Sequence, residues 1–208
     1  MEHIIETRIG FAIVFALALC LFILHKYAKN PFKETLQAAS QGHPDAQYKM
    51  GQFCYQGKYI DKDYKKAFNW FDTAAKSGHV KAQVALAGLY NAGHGCEQNS
   101  AQAFRWYETA YKQGDLEAQV NLAFCHLQGI GTPADAKQAF LLMQDAAEKK
   151  SPLGRTFLGD FYQCGIGTEK DEMQAKKCYL TAAKMGEPLA KSRLKKRTRA
   201  NIPPPPMT

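Results

Sequence analysis

The chain has 208 residues, 46% of them hydrophobic and 22% charged, a balance that predicts an ordered core and allows one domain plus an appendage. The net charge of +8 argues for a nucleic-acid partner only until its distribution is followed along the chain. Residues 46–189 carry seventeen basic and fifteen acidic side chains, whereas residues 190–208 carry six basic and none acidic, so the excess is a property of the C-terminal end.

Residues 1–8 form a short flank that holds Glu2, Glu6 and Arg8, and residues 9–28 are the clearest shift in composition. The run from Ile9 to Leu24 has sixteen residues without a charge or a strong polar group, about 24 Å of helix. With Arg8 and Lys26 placed to snorkel at its ends, it predicts one transmembrane helix. A cleaved signal peptide is the rival reading, weakened because the following segment offers no small-x-small cleavage site. Lys26, Lys29 and Lys33 follow the run, which predicts a single-pass protein of a bacterial inner membrane with its large domain in the cytoplasm, and a periplasmic domain as the alternative. Cys20 lies in the apolar run, leaving an odd five cysteines, at 54, 96, 125, 164 and 178, in the domain. Their irregular spacing argues against a disulfide framework.

Beyond residue 33 the chain repeats itself. Small residues recur every 36 positions at Ala46, Ala82, Ala118, Gly154 and Ala190, and the same step links Met50, Leu86, Leu122, Leu158 and Leu194. It also links Gly57, Gly93, Gly129 and Gly165, and Ala67, Ala103, Ala139 and Ala175. The units are residues 46–81, 82–117, 118–153 and 154–189. A half-repeat at 34–45 precedes them, and a capping helix at 190–197 and a proline-rich basic tail at 198–208 follow. Each unit predicts two helices. In the first, Ala82, Leu86, Leu89 and Tyr90 share a face, and Gly93 closes it in the left-handed conformation. Asp63, Asn99, Asp135 and Asp171 are N-caps for the second, and Gln102, Gln138 and Gln174, three residues on, suggest capping boxes. The fold class is all-α, an α/α solenoid of four helix-pair repeats after one transmembrane helix.

The pattern Ala-x-x-x-Leu-Gly-x-x-Tyr-x-x-Gly-x-Gly, then Lys/Gln-Ala-x-x-Trp-Tyr-x-x-Ala-Ala-x-x-Gly, resembles the SEL-one-like repeat family, relatives of tetratricopeptide repeats, over residues 34–196. Ala87 and Ala123 replace the first-helix glycine, Tyr59 replaces the second turn glycine, and Cys54 and His126 take a tyrosine slot. Some bacterial members have a disulfide in each repeat; the matching positions here, Ala75 and Ala82, carry none. By the resemblance, first helices line a concave face and members serve as adaptors in bacterial signalling, envelope assembly and host interaction.

No nucleophile elbow, zinc-protease, paired-cysteine or dinucleotide motif is present in the sequence. Gly88-x-x-x-x-Gly93 imitates half a phosphate loop, but His94 stands where lysine is needed and a helix precedes it where that loop needs a strand. His94 and Cys96 form only half of a metal site, and His126 is expected to hydrogen-bond in the tyrosine slot. An enzyme, a cofactor and a small-molecule substrate are not expected. The remaining function is a surface: Tyr48, Gln52, Tyr55, Val84, Gly88, Asn91, Val120, Phe124, Leu127, Thr156, Asp160 and Gln163 form the expected groove for a protein or peptide partner. In the tail, Lys191, Arg193, Lys195, Lys196, Arg197 and Arg199 offer contact with lipid or nucleic acid, the latter less favoured. The predicted function is a membrane-anchored interaction scaffold, with a periplasmic binding module for an envelope component as the alternative.

Overall fold

Every second helix of a pair begins at a side chain chosen to start it. Asp63, Asn99, Asp135 and Asp171 sit in extended backbone and accept from the backbone N–H three residues on, at 2.9 to 3.0 Å. The capping boxes are only half made. The N–H of each cap residue goes instead to the carbonyl nine residues back, on the preceding helix, at 2.7 to 2.9 Å. Gln102, Gln138 and Gln174 are thereby spared that task, and the bond fixes how each helix pair folds back on itself.

The computed structural model describes residues 31–200 together with Ala18 and Leu19. Its helices are α1 (Pro31–Ser40), α2 (Pro44–Gln56), α3 (Tyr64–Lys76), α4 (Val80–Ala92), α5 (Ser100–Lys112), α6 (Leu116–Gln128), α7 (Ala136–Glu148), α8 (Pro152–Cys164), α9 (Glu172–Lys184) and α10 (Pro188–Ala200). Consecutive helices pack on one another along the row. First helices end where Gly57, Gly93, Gly129 and Gly165 take φ of 69 to 72°, which glycine adopts without the Cβ penalty. Gly95 is constrained twice: φ is 76°, and a Cβ there would lie 2.1 Å from the Tyr64 carbonyl oxygen at the start of α3.

The recurring alanines are the seam. Ala67, Ala103, Ala139 and Ala175, and Ala74, Ala110, Ala146 and Ala182, have no exposed surface. A second periodic set, Gln47, Gln83 and Gln119, is buried at 1 to 5% exposure. Gln47 and Gln83 donate to the carbonyls of Ala39 and Ala75 on the preceding helix, and Arg155, next in that series, donates to Ala147. Gln119 reaches forward, to the Leu142 carbonyl at 2.8 Å and to Asp145 at 2.7 Å. These bonds tie one repeat to the next inside an otherwise apolar stack.

Four expectations are corrected. Among the described residues no helix is long and apolar enough to cross a membrane. The helices beyond α1 have 13 residues each, about 20 Å against the roughly 30 Å of a bilayer core. The single-pass placement is therefore overturned, and the orientation drawn from flanking charge falls with it; the run at 9–28 lies outside the described residues except for Ala18 and Leu19. The C-terminal cap is longer than expected, because Pro188 starts α10 and the helix continues through Ala200. Ala190 is fully buried and Arg193 is ion-paired, so the start of the basic run is part of the fold. Residues 201–208, including the prolines, lie outside the described residues. Finally, His126 Nδ1 is buried without a hydrogen bond among the described residues, and the ring stands edge-on to Phe104 at 5.5 Å.

The half-made boxes separate two substitutions. Asp135→Ala is expected to cost about 1 kcal/mol, whereas Gln138→Ala should stay within about 0.5 kcal/mol of the parent; urea denaturation of the two variants checks this.

Candidate partner-binding groove

The helices α2, α4, α6 and α8 carry the groove residues, and α10 continues the row. Down this face, positions 33 apart form a series, Gln52 and Ala85, Gly88 and Asn121, Phe124 and Phe157, and Asp160 and Arg193, and the first four of these residues line one cleft. The two C-terminal pairs are closed. Phe124 meets Phe157 edge-on, ring centroids 4.8 Å apart at 87°. Arg193 Nη2 donates to Asp160 Oδ2 at 3.0 Å. Asp160 Oδ1 in turn accepts from the Tyr179 hydroxyl at 2.7 Å, and that hydroxyl oxygen also lies 2.8 Å from Gln163 Oε1.

In the N-terminal half the side chains of this series are short or uncharged, and a cleft of about 510 Å³ opens between α2, α4 and α6. Phe71, Leu89 and Tyr107 are its buried members. Tyr48, Gln52, Tyr55, Lys81, Val84, Gly88, His94, Glu117 and Asn121 are more open. Five of the expected groove residues thus converge: Tyr48, Gln52, Tyr55, Val84 and Gly88. Asn91 lies beyond the cleft, where its carbonyl accepts from Gln98 Nε2 at 2.8 Å. Val120 and Thr156 are corrections, being 3% and 0% exposed. Val120 belongs to the buried core, and Thr156 Oγ1 donates to the Pro152 carbonyl at 2.9 Å. Phe124 and Leu127 pack against the same core, while Asp160 and Gln163 are held by Tyr179.

The open cleft is rigidly built. Tyr48 stacks on His79 with centroids 4.7 Å apart, and its hydroxyl accepts from Gln52 Nε2 at 3.0 Å. His79 is itself the N-cap of α4: Nδ1 accepts from the Ala82 N–H at 3.0 Å, and Nε2 lies 3.2 Å from Asp45 Oδ1. His94 stacks on Tyr64 at 4.4 Å and 8°, with Tyr55 beside both rings. Cys96, its neighbour, directs its thiol at the Leu89 carbonyl, 3.7 Å away. Burial, and then the Glu117 carboxylate, raise the Tyr48 phenol. Tyr107 is pushed up to about 12, mainly by burial and then by Cys125 and Glu117.

Of the lining, Lys81, His94, Tyr107, Glu117 and Asn121 were not assigned to the groove from sequence. The spacing that links Tyr107 to Phe71, Met143 and Tyr179 was available, but which of these reaches the concave face depends on how the pairs stack. Of the basic residues at the C-terminal end, Lys191, Lys195 and Lys196 are exposed on α10, whereas Arg193 is engaged by Asp160. Arg197 and Arg199 continue that helix.

A row of antiparallel helix pairs with a shared concave face defines a helical-repeat protein of the solenoid class. Residues 44–79, 80–115, 116–151 and 152–187 each match the Sel1 repeat, and the chain belongs to that family. This frame starts two residues before the one based on the small-residue spacing and keeps the same period. Among solved structures, the chain is similar to a protective antigen of uropathogenic Escherichia coli displaying an SLR fold, at 32% identity and a TM-score of 0.69, over 78% of this chain and 35% of that one. The chain therefore spans about a third of that antigen's length. It is also similar to a Sel1 repeat protein from Oxalobacter formigenes, at 27% identity and a TM-score of 0.72, over 83% of this chain and 72% of that one. No curated protein matches the chain.

The five domain cysteines are free, with Cys164 exposed and Cys54 and Cys125 buried. Burial raises the Cys54 thiol and pushes Cys125 up to about 11. A disulfide-exchange reagent is expected to modify Cys164 first and the buried pair only on unfolding, as mass spectrometry of a time course would show. Cys125 and Tyr107 both favour the protonated form when folded. Their contribution is therefore fully present below the ordinary thiol value of 9.0 and is lost as pH rises toward about 11 to 12. Denaturation midpoints across that alkaline range should fall.

Proposed function

We propose that the protein is a non-catalytic interaction scaffold that seats a segment of a partner polypeptide in the cleft between α2, α4 and α6. Sel1 repeat proteins mediate protein–protein interactions generally, and the cleft supports this reading for the present chain. The observation that carries it is the contrast along one face. Positions of the same series are filled from within by Phe124–Phe157 and Asp160–Arg193, and left open around Gly88 with tyrosines at the edge. A cavity of this size takes a few side chains of a peptide or a loop, and rigid tyrosines with amide neighbours give contact area at low entropic cost.

The two histidines at the cleft are engaged in structure rather than arranged for reaction. His79 is occupied by its own helix cap and His94 by its stack on Tyr64, so neither is poised beside a nucleophile. The reading in which the basic end binds nucleic acid or lipid loses Arg193 to Asp160.

A photo-crosslinking residue at position 55, where the side chain is 38% exposed, is expected to capture a polypeptide, and Tyr48→Ala should abolish capture. The same residue at position 141, 48% exposed on the second-helix face, should capture none. Equal capture at both positions would remove the cleft from consideration.

A further inference from the structure

The second and fourth repeats place a tyrosine at the same second-helix position, Tyr107 and Tyr179, 8% and 0% exposed. Each hydroxyl reaches the first helix of its own repeat, Tyr107 at Gly88 and Tyr179 at Asp160. Tyr179 finds a hydrogen-bond partner inside the chain, the Asp160 carboxylate, which Arg193 holds from its other oxygen. Tyr107 has no such partner among the described residues. The position matching Asp160 is Gly88, where a Cβ would stand 3.7 Å from the Tyr107 hydroxyl. The position matching Arg193 is Asn121, whose amide donates to the Glu117 carbonyl at 3.0 Å. Both positions, and the hydroxyl between them, belong to the cleft.

What the fourth repeat has at this place and the second lacks is an acceptor the size of a carboxylate, and the Tyr107 hydroxyl is the donor beside it. The Tyr107 hydroxyl stays protonated well past neutral pH because burial raises it. Lys81, two turns before Gly88 on α4 and about 10 Å away along the axis, adds a cation to the cleft only at long range. Glu117, also in the lining, is the one opposing charge and would weaken an anion's hold.

We infer that the notch at Gly88 receives the carboxylate of an acidic side chain carried by a partner polypeptide, in the place that Asp160 fills in the fourth repeat. This rests on the scaffold reading and names the chemistry at the centre of the site.

Two measurements on the full chain test it. Gly88 is helical and has ordinary space at its Cβ, so Gly88→Asp supplies the carboxylate internally. Relative to Gly88→Ala, its thermal midpoint should rise by about 2 to 4 °C, and the gain should vanish in a Tyr107→Phe background. A rise matched by the gain in that background, or no rise, overturns the equivalence with Asp160.

The second measurement is an NMR titration with end-capped pentapeptides, Gly-Gly-X-Gly-Gly, with X as Asp, Asn or Phe. The Asp peptide is expected to shift the Gly88 and Asn121 amides and to bind at least about fivefold more tightly than the Asn peptide, as a charge-assisted acceptor should. Gly88→Asp should abolish that binding and Glu117→Gln should strengthen it. Equal binding of the Asn peptide, a preference for Phe, or tighter binding of an uncapped pentaglycine through its terminal carboxylate would each overturn the assignment. Capture at position 55 without Asp preference would leave the scaffold standing and remove the carboxylate. Asp-selective binding at Gly88 without any capture would do the reverse.

Discussion

Adjacent helices in this chain approach through columns of residues that carry one methyl group or none, and the rest of the structure depends on that closeness. Ala67, Ala74, Ala103, Ala110, Ala139, Ala146, Ala175 and Ala182 are completely buried, and a methyl group added at Gly154 would come within 2.8 Å of Ala146. An isolated helix pair of this kind buries little, since each methyl contributes only about 0.8 kcal/mol. Stability comes from repetition, each pair covering the seam of the next. Larger groups are admitted only where a neighbour yields space for them, as Gly51 does for the Phe71 ring and Gly159 for the Tyr179 ring.

Because the helices are so close, the concave face has little depth of its own, and single side chains decide whether it is open or shut. An aromatic pair shuts it in the third repeat, and an ion pair with a tyrosine hydroxyl shuts it in the fourth. Across the first three repeats the matching residues are Gln52, Ala85, Gly88 and Asn121, and a cleft remains. The scaffold is regular while its surface is not, so one part of a repeating structure is made available to a partner. Gly88, the one residue of its column without a side chain, is what makes that part distinct.

The same logic governs the C-terminal end. After the fourth repeat α10 covers the stack, with Ala190 in the small-residue column and Arg193 reaching back to Asp160. A basic run that looks like a tail by composition is in part a lid on the stack. Its leading charge pairs with the Asp160 carboxylate, which also accepts from the Tyr179 hydroxyl.

The period of 36 residues, the helix pairs, their caps at Asp63, Asn99, Asp135 and Asp171, and the left-handed glycines that end the first helices were all legible in the sequence. Each follows from local rules, side-chain spacing on a helix and backbone preferences at its ends, and the absence of insertions keeps them in phase. The sequence also pointed to five of the residues that meet in the cleft, because first-helix positions left over from the stacking face must lie on one surface. It did not reveal that Val120 and Thr156 are core, that Asp160 and Gln163 are occupied by Tyr179, or that Tyr107 reaches the cleft from the second helix. It also suggested capping boxes whose backbone donors are in fact taken by the preceding helix. Those outcomes depend on contacts between residues 9 to 36 positions apart, and on which of several neighbours gets there first. Only the stacking angle and separation of the helices settle that competition, and no local pattern encodes them.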